Sequence, residues 1–137
     1  MILGIDFGDS RTGFASSDLT VTIATTIETF KEKNLKKVAT RAVYLAKETG
    51  ADKIVLGYPK NMNGTVGDRG KKSKKLAAEI KAQLDIPVIL WDERLTTVSA
   101  HNLMNETNVR GEKRKESVDK IAAAFILQSY LDSLKNV

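Results

Sequence analysis

At 137 residues, with 42% hydrophobic and 28% charged side chains, the chain has the size and composition of one soluble globular domain, residues 1–137. No apolar run approaches the roughly 18 residues of a membrane span, and the absence of cysteine excludes a disulfide framework, a thiolate metal centre and a cysteine nucleophile. Lys and Arg exceed Asp and Glu by 22 to 17, a net charge of +5 that favours polyanionic partners such as nucleic acid.

The chain opens on Met-Ile-Leu-Gly-Ile-Asp, without the basic stretch and small-residue cleavage site of a secretory signal, so no processing segment is expected. Ile2 to Phe7, Arg11 to Ser17 and Val21 to Thr29 are separated by breaks too short for a crossover helix, which predicts three antiparallel strands. Leu35, Val38, Ala42 and Leu45 then recur at helical spacing up to Gly50, a glycine stop. Lys53 to Gly57 reads as a buried strand. A glycine-rich loop follows, and Lys71, Lys72, Lys74 and Lys75 open a helix carrying Leu76, Ala77, Ile80 and Leu84. Val88 to Trp91 is a further strand, Val98 to Met104 a helix, Asn105 to Glu116 a basic mobile loop, and Ser117 to Leu134 the last helix. A meander followed by right-handed crossovers makes an α/β fold with a five-stranded mixed sheet flanked by helices.

Asp6 interrupts an apolar strand, where a buried charge is costly unless it has a partner, and such an acid commonly marks a cation or a reacting phosphate. Glu93, in Trp91-Asp-Glu-Arg94, follows a strand at the carboxyl edge, where open α/β sheets place ligands. Asp119 is expected in the first turn of the last helix, a position that the helix dipole favours in any protein. Three carboxylates converging from such distant segments repel one another unless divalent cations lie among them, and an oxygen-only set suits Mg²⁺ or Mn²⁺. Two such ions can support in-line phosphodiester hydrolysis without a covalent side-chain nucleophile.

Cations surround these acids in the sequence. Gly64, Gly67 and Gly70 are equally spaced in a loop whose amides can approach a phosphate, but the loop lacks the ending of a nucleotide-binding P-loop. Lys71 and Lys72 stand at the unfavourable end of a helix dipole, as a phosphate backbone would justify, and Lys113 and Arg114 lie in the basic stretch. His101, alone of its type, reads as a surface or packing residue; Trp91, Phe125, Tyr130 and Leu131 read as core.

Ile5-Asp6-Phe7-Gly8, the loop Gly57-Tyr-Pro-Lys-Asn-Met-Asn-Gly64, Trp91-Asp-Glu-Arg-Leu-Thr-Thr97 and Val118-Asp119-Lys-Ile-Ala-Ala123 together resemble the YqgF (RuvX) family of RuvC-like nucleases, essentially end to end. The resemblance implies an RNase H-like fold, metal-dependent phosphodiester hydrolysis by Asp6, Glu93 and Asp119, and cytoplasmic maturation of the 5′ end of pre-16S rRNA. It further implies substrate contacts by Arg11, Asn61, Arg69 and Arg94. Asp68 departs from the family, which commonly has proline before the arginine. Structured RNA is the favoured partner. The alternatives are resolution of four-way DNA junctions, which a dimer would serve, and a non-catalytic RNA-binding role in ribosome assembly. A phosphate loop of the actin and sugar-kinase type is disfavoured by length. The expected oligomeric state is a monomer or a weak homodimer.

Overall fold

Alternation along the first strand decides which side of the sheet each of its residues serves. Leu3 and Ile5 enter one buried cluster with Phe14, Val38, Leu56, Leu76 and Ile80, whereas Ile2 enters another with Ala15, Val55, Ala123, Leu127 and Leu131. The computed structural model describes residues 1–59, 63–92 and 111–135, with backbone alone over 111–120 and at 135.

Strands β1 (Ile2–Phe7), β2 (Arg11–Ser17) and β3 (Ala24–Lys31) form the antiparallel meander. Helix α1 (Leu35–Thr49) leads to β4 (Lys53–Tyr58), and α2 (Asp68–Gln83) leads to β5 (Val88–Asp92). Both of these strands are parallel to β1, giving the order β3-β2-β1-β4-β5, and α3 (Gly111–Lys135) ends the described chain. Helices α1 and α2 cover one face of the sheet and α3 the other. No helix among the described residues is long and apolar enough to cross a membrane.

Local chemistry explains the boundaries of α1. Asn34 accepts from the Lys37 amide at 3.2 Å at its start, and Gly50 takes a φ of 71° at its end, where a side chain would be strained. Across the sheet, Lys53 donates to the Tyr130 hydroxyl at 3.1 Å and ties β4 to α3.

Three expected boundaries move. β3 begins at Ala24 rather than Val21, because Asp18 accepts from the Thr22 and Ile23 amides at 2.7 and 3.1 Å and withdraws them from strand pairing, with Val21 at a positive φ of 58°. α2 begins at Asp68 rather than Lys71, so Gly70 lies inside the helix and not in a loop. There it is buried: a Cβ would stand 2.5 Å from Val66 Cγ1 and 2.9 Å from the Pro59 carbonyl oxygen, which makes this glycine a packing residue. The lysines therefore follow Asp68, which opens the first turn, and an acid suits that position as well as proline does.

The last helix starts at Gly111, so the part of the expected mobile loop from 111 to 116 is helical. Glu112-Lys-Arg-Lys-Glu116 consists of strong helix formers that have no apolar periodicity to announce them. Residues 98–110 lie outside the described part, and with them the expected helix Val98 to Met104 and His101.

Candidate functional site

Asp6 is half-buried near the carboxyl end of β1, the central strand, at the edge where the parallel strands β4 and β5 also end. It pairs with Gly13 on β2. Continuing the β1–β4 register by one residue sets Gly57 on its other side, and Trp91 pairs with Gly57 in turn. Neither strand neighbour of Asp6 carries a side chain, so the carboxylate rises from a floor of backbone. Trp91 bounds that row, packed edge-to-face on Tyr130 at 5.3 Å and donating from Nε1 to Ser129 Oγ at 3.2 Å.

The face that holds Asp6 is the one α3 crosses. Gly4, two residues back on β1, meets the helix so closely that a Cβ there would stand 2.8 Å from Leu127 Cβ and 3.2 Å from the Ala123 carbonyl oxygen. Gln128 then donates to the Thr22 carbonyl and accepts from the Ala24 amide, both at 2.9 Å, at the edge of the sheet where β1 begins. α3 therefore runs from the carboxyl edge of β1 toward its amino edge. Two strand residues advance about 6.6 Å and one helical turn of four residues about 6 Å, so Gly4 to Asp6 and Ala123 back to Asp119 are matched steps toward the same edge.

Asp119 is the ninth residue of α3 rather than part of its first turn, which removes the helix dipole as a reason for an acid there. Arg11 opens β2 two residues before Gly13, hence on the face of Asp6, and is half-buried. Arg69, Lys71 and Lys72 are exposed on α2, and Lys72 reaches Asp9 in the β1–β2 turn at 3.2 Å. Both partners are well exposed, so the pair adds little stability. Lys113 and Arg114 fall in the first turn of α3. Asn61, Glu93 and Arg94 lie outside the described residues, Glu93 directly after the last residue of β5.

Among the described residues, no three His, Cys, Asp or Glu side chains converge as a metal-holding group. The chemistry of the donor set still fits a hard cation, since Asp6, Glu93 and Asp119 offer only oxygen. The large electrostatic shift in the described part lies elsewhere. The Asp18 carboxyl, in the β2–β3 turn at the far edge of the sheet, is held well below its usual range by the Thr20 hydroxyl and then by the Thr22 and Ile23 amides. Sequence reasoning did not single out Gly13 and Gly57 as flanks of Asp6. A glycine inside each strand pattern was the available signal, since it marks a close approach or an open space.

Comparison with known proteins agrees with this sheet order and helix placement. The family model RuvX, described as Holliday junction resolvase, matches residues 1–133. A protein of Bacillus subtilis (strain 168) bearing the name "Putative pre-16S rRNA nuclease" is 47% identical over 135 residues, 97% of this chain and 98% of its own length. One of Thermoanaerobacter pseudethanolicus with the same name is 46% identical over 136 residues, 98% of each chain. In fold, the chain is similar to T. thermophilus RuvC in complex with Holliday junction substrate, with a TM-score of 0.63 at 10% identity over 99% of this chain and 96% of that one. It is similar also to the fowlpox virus resolvase in complex with Holliday junction DNA, with a TM-score of 0.56 at 18% identity over 97% of each. The sheet order, the helix over Asp6 and the match from residue 1 to 133 converge on one conclusion: the chain belongs to the RuvX family and has an RNase H-like fold.

Proposed function

We propose that this chain is a single-domain, divalent-cation-dependent nuclease that processes the 5′ end of pre-16S rRNA in the cytoplasm, with Asp6, Glu93 and Asp119 as its acidic centre. The observation that carries the reading is Asp6 itself. A carboxylate at the end of the central strand stands between two glycines, Gly13 and the in-register Gly57, on the face that α3 crosses, where a cation and a phosphodiester oxygen would meet it. The names of the relatives at 46% and 47% identity supply the substrate.

Mg²⁺ or Mn²⁺ bound among the three acids would neutralise the charge that develops on the phosphate and lower the pKa of attacking water. Asp6 would orient these cations from the rigid centre of the sheet, Glu93 from the end of β5, and Asp119 from the helix above. Hydrolysis then proceeds by attack of a water oxygen on phosphorus as the bond to the leaving ribose oxygen breaks, the water proton passing to solvent and the leaving oxygen gaining one. Arg11, on the Asp6 face, would hold a non-bridging phosphate oxygen. Asn61, Arg69, Lys71, Lys72, Arg94, Lys113 and Arg114 would contact the strand on either side.

The test is cleavage of a pre-16S rRNA fragment with Mg²⁺ and with chelator, comparing wild type, Asp6→Asn and Glu93→Gln. Each substitution should lower the rate on the order of 10²-fold or more, with the urea midpoint preserved. Wild-type rates in both would mean that these acids are structural. A second reading, resolution of four-way DNA junctions, is favoured by the family's own description and by the likeness to two junction-bound folds. Symmetric cutting of a junction needs two centres, so a protein that cuts junctions in pairs should sediment as a dimer.

A further inference from the structure

Helices α1 and α2 both start at the edge of the sheet where Asp6 lies. β3 runs in the direction of β1 and delivers the chain to α1, and β4 does the same for α2. The two helices lie side by side. Thr40 Oγ1 donates to Gln83 Oε1 at 3.4 Å, and an open groove of about 490 Å³ separates Asn34, Leu35 and Lys36 on one from Lys75, Ala78 and Glu79 on the other. α2 consequently extends about 10 Å beyond the start of α1, since the seven residues from Asp68 to Lys75 rise 1.5 Å each. Its projecting turns carry Lys72 to the β1–β2 turn beside the site.

Lys33, Lys36 and Lys37 stand exposed at the start of α1, and Lys71, Lys72 and Lys75 stand exposed on α2. The acids in the same region are Asp9, Glu32, Asp68 and Glu79, and two of them are already engaged. Asp9 pairs with Lys72, and Glu32 accepts from the Lys33 and Asn34 amides at 3.0 and 3.1 Å. The first turn of α1 holds Lys36 and Lys37 and no acid, although the helix dipole is positive there. Gathering lysines at that end works against the helix. A polyanion lying across both ends would reverse the sign.

We propose that this edge is a docking strip for the phosphate backbone of an RNA duplex next to the cleavage site. The proposal rests on the nuclease reading above and adds a second surface to it. Lysine is a flexible point charge without a planar donor pattern, so the strip binds backbone irrespective of base sequence and leaves the choice of scissile bond to the acidic centre.

The experiment measures binding of the wild-type chain, in chelator, to a fluorescent blunt 20-base-pair RNA duplex across a salt series. K33A/K36A/K37A is compared with K47A/K81A, which removes lysines from the last turns of the same two helices. The first variant should bind about tenfold more weakly near 0.15 M salt, with the salt slope reduced by about two to three, the number of phosphate contacts removed. Its melting temperature should be equal or higher, because alanine favours a helix and two cations leave an unfavourable position. K47A/K81A should bind as wild type does. Equal losses in both variants, an unchanged slope in the first, or a loss seen only with a DNA duplex of the same length would overturn the strip. Cleavage of the pre-16S fragment by the wild-type chain is scored separately. A chain that cuts, in which K33A/K36A/K37A binds the duplex normally, sinks the strip alone; a wild-type chain that does not cut sinks the nuclease reading, and the binding comparison still decides the strip.

Discussion

Gly4→Ala should separate the two halves of the acidic centre without touching either. The new methyl would stand 2.8 Å from Leu127 Cβ and 3.2 Å from the Ala123 carbonyl oxygen, and neither atom is the free end of a flexible side chain. Carbon atoms rest about 3.5–4.0 Å apart, so α3 has to retreat from β1 by about 1 Å. Overpacking of this kind costs about 1–3 kcal/mol. A misplacement of about 1 Å in a catalytic constellation can lower the rate about 10²-fold. The chain should therefore fold, with its urea midpoint lowered, and cut the pre-16S fragment about 10²-fold more slowly. Ile126→Val on the same helix, buried in the same cluster, is the matched control. It costs about 0.5–1.5 kcal/mol without pushing the helix away, so cleavage should be retained. Cleavage at the wild-type rate by Gly4→Ala, or an equal loss in Ile126→Val, would refute the argument that α3 holds Asp119 in step with Asp6.

Other substitutions probe the frame. Arg41 binds Glu28 through two nitrogens, Nε to Oε2 at 3.1 Å and Nη2 to Oε1 at 2.5 Å, and lies 5.0 Å from the Tyr44 ring, so its pKa is raised chiefly by the Glu28 hydrogen bond. Arg41→Lys keeps the charge but loses the fork, and should lower stability by about 1 kcal/mol in urea unfolding. For Asp18, the folded-state pKa lies far below the ordinary 3.8, so its contribution is present above that value and disappears as pH falls through and below it. The stability gap between wild type and Asp18→Asn should narrow from pH 5 to pH 3; a constant gap in urea midpoints would contradict this. Ser129→Ala leaves the Trp91 indole N–H without its acceptor and should destabilise by about 1 kcal/mol, while Asp6-dependent cleavage persists.

What could be read from the residues alone was whatever depends on local chemistry. The apolar run of Ile2–Phe7, broken only by its acid, the helical spacing from Leu35 to the Gly50 stop and the buried runs of β4 and β5 mark their elements because burial leaves its pattern in the local sequence. Asp6 stood out because a charge in a strand core conflicts with its surroundings, and Trp91, Tyr130 and Leu131 were rightly read as packing. Other features depend on partners far away in the chain. Val21 to Ile23 left the expected strand because Asp18 captured their neighbouring amides. The charged first turns of α3 carry no apolar period, so its start at Gly111 and the interior position of Asp119 could not be read from periodicity. That Gly13 and Gly57 flank Asp6, that Gly4 sets the distance to α3, and that the lysines of α1 and α2 share one edge were decided by strand register and helix packing, which bring residues together by geometry that no local window contains.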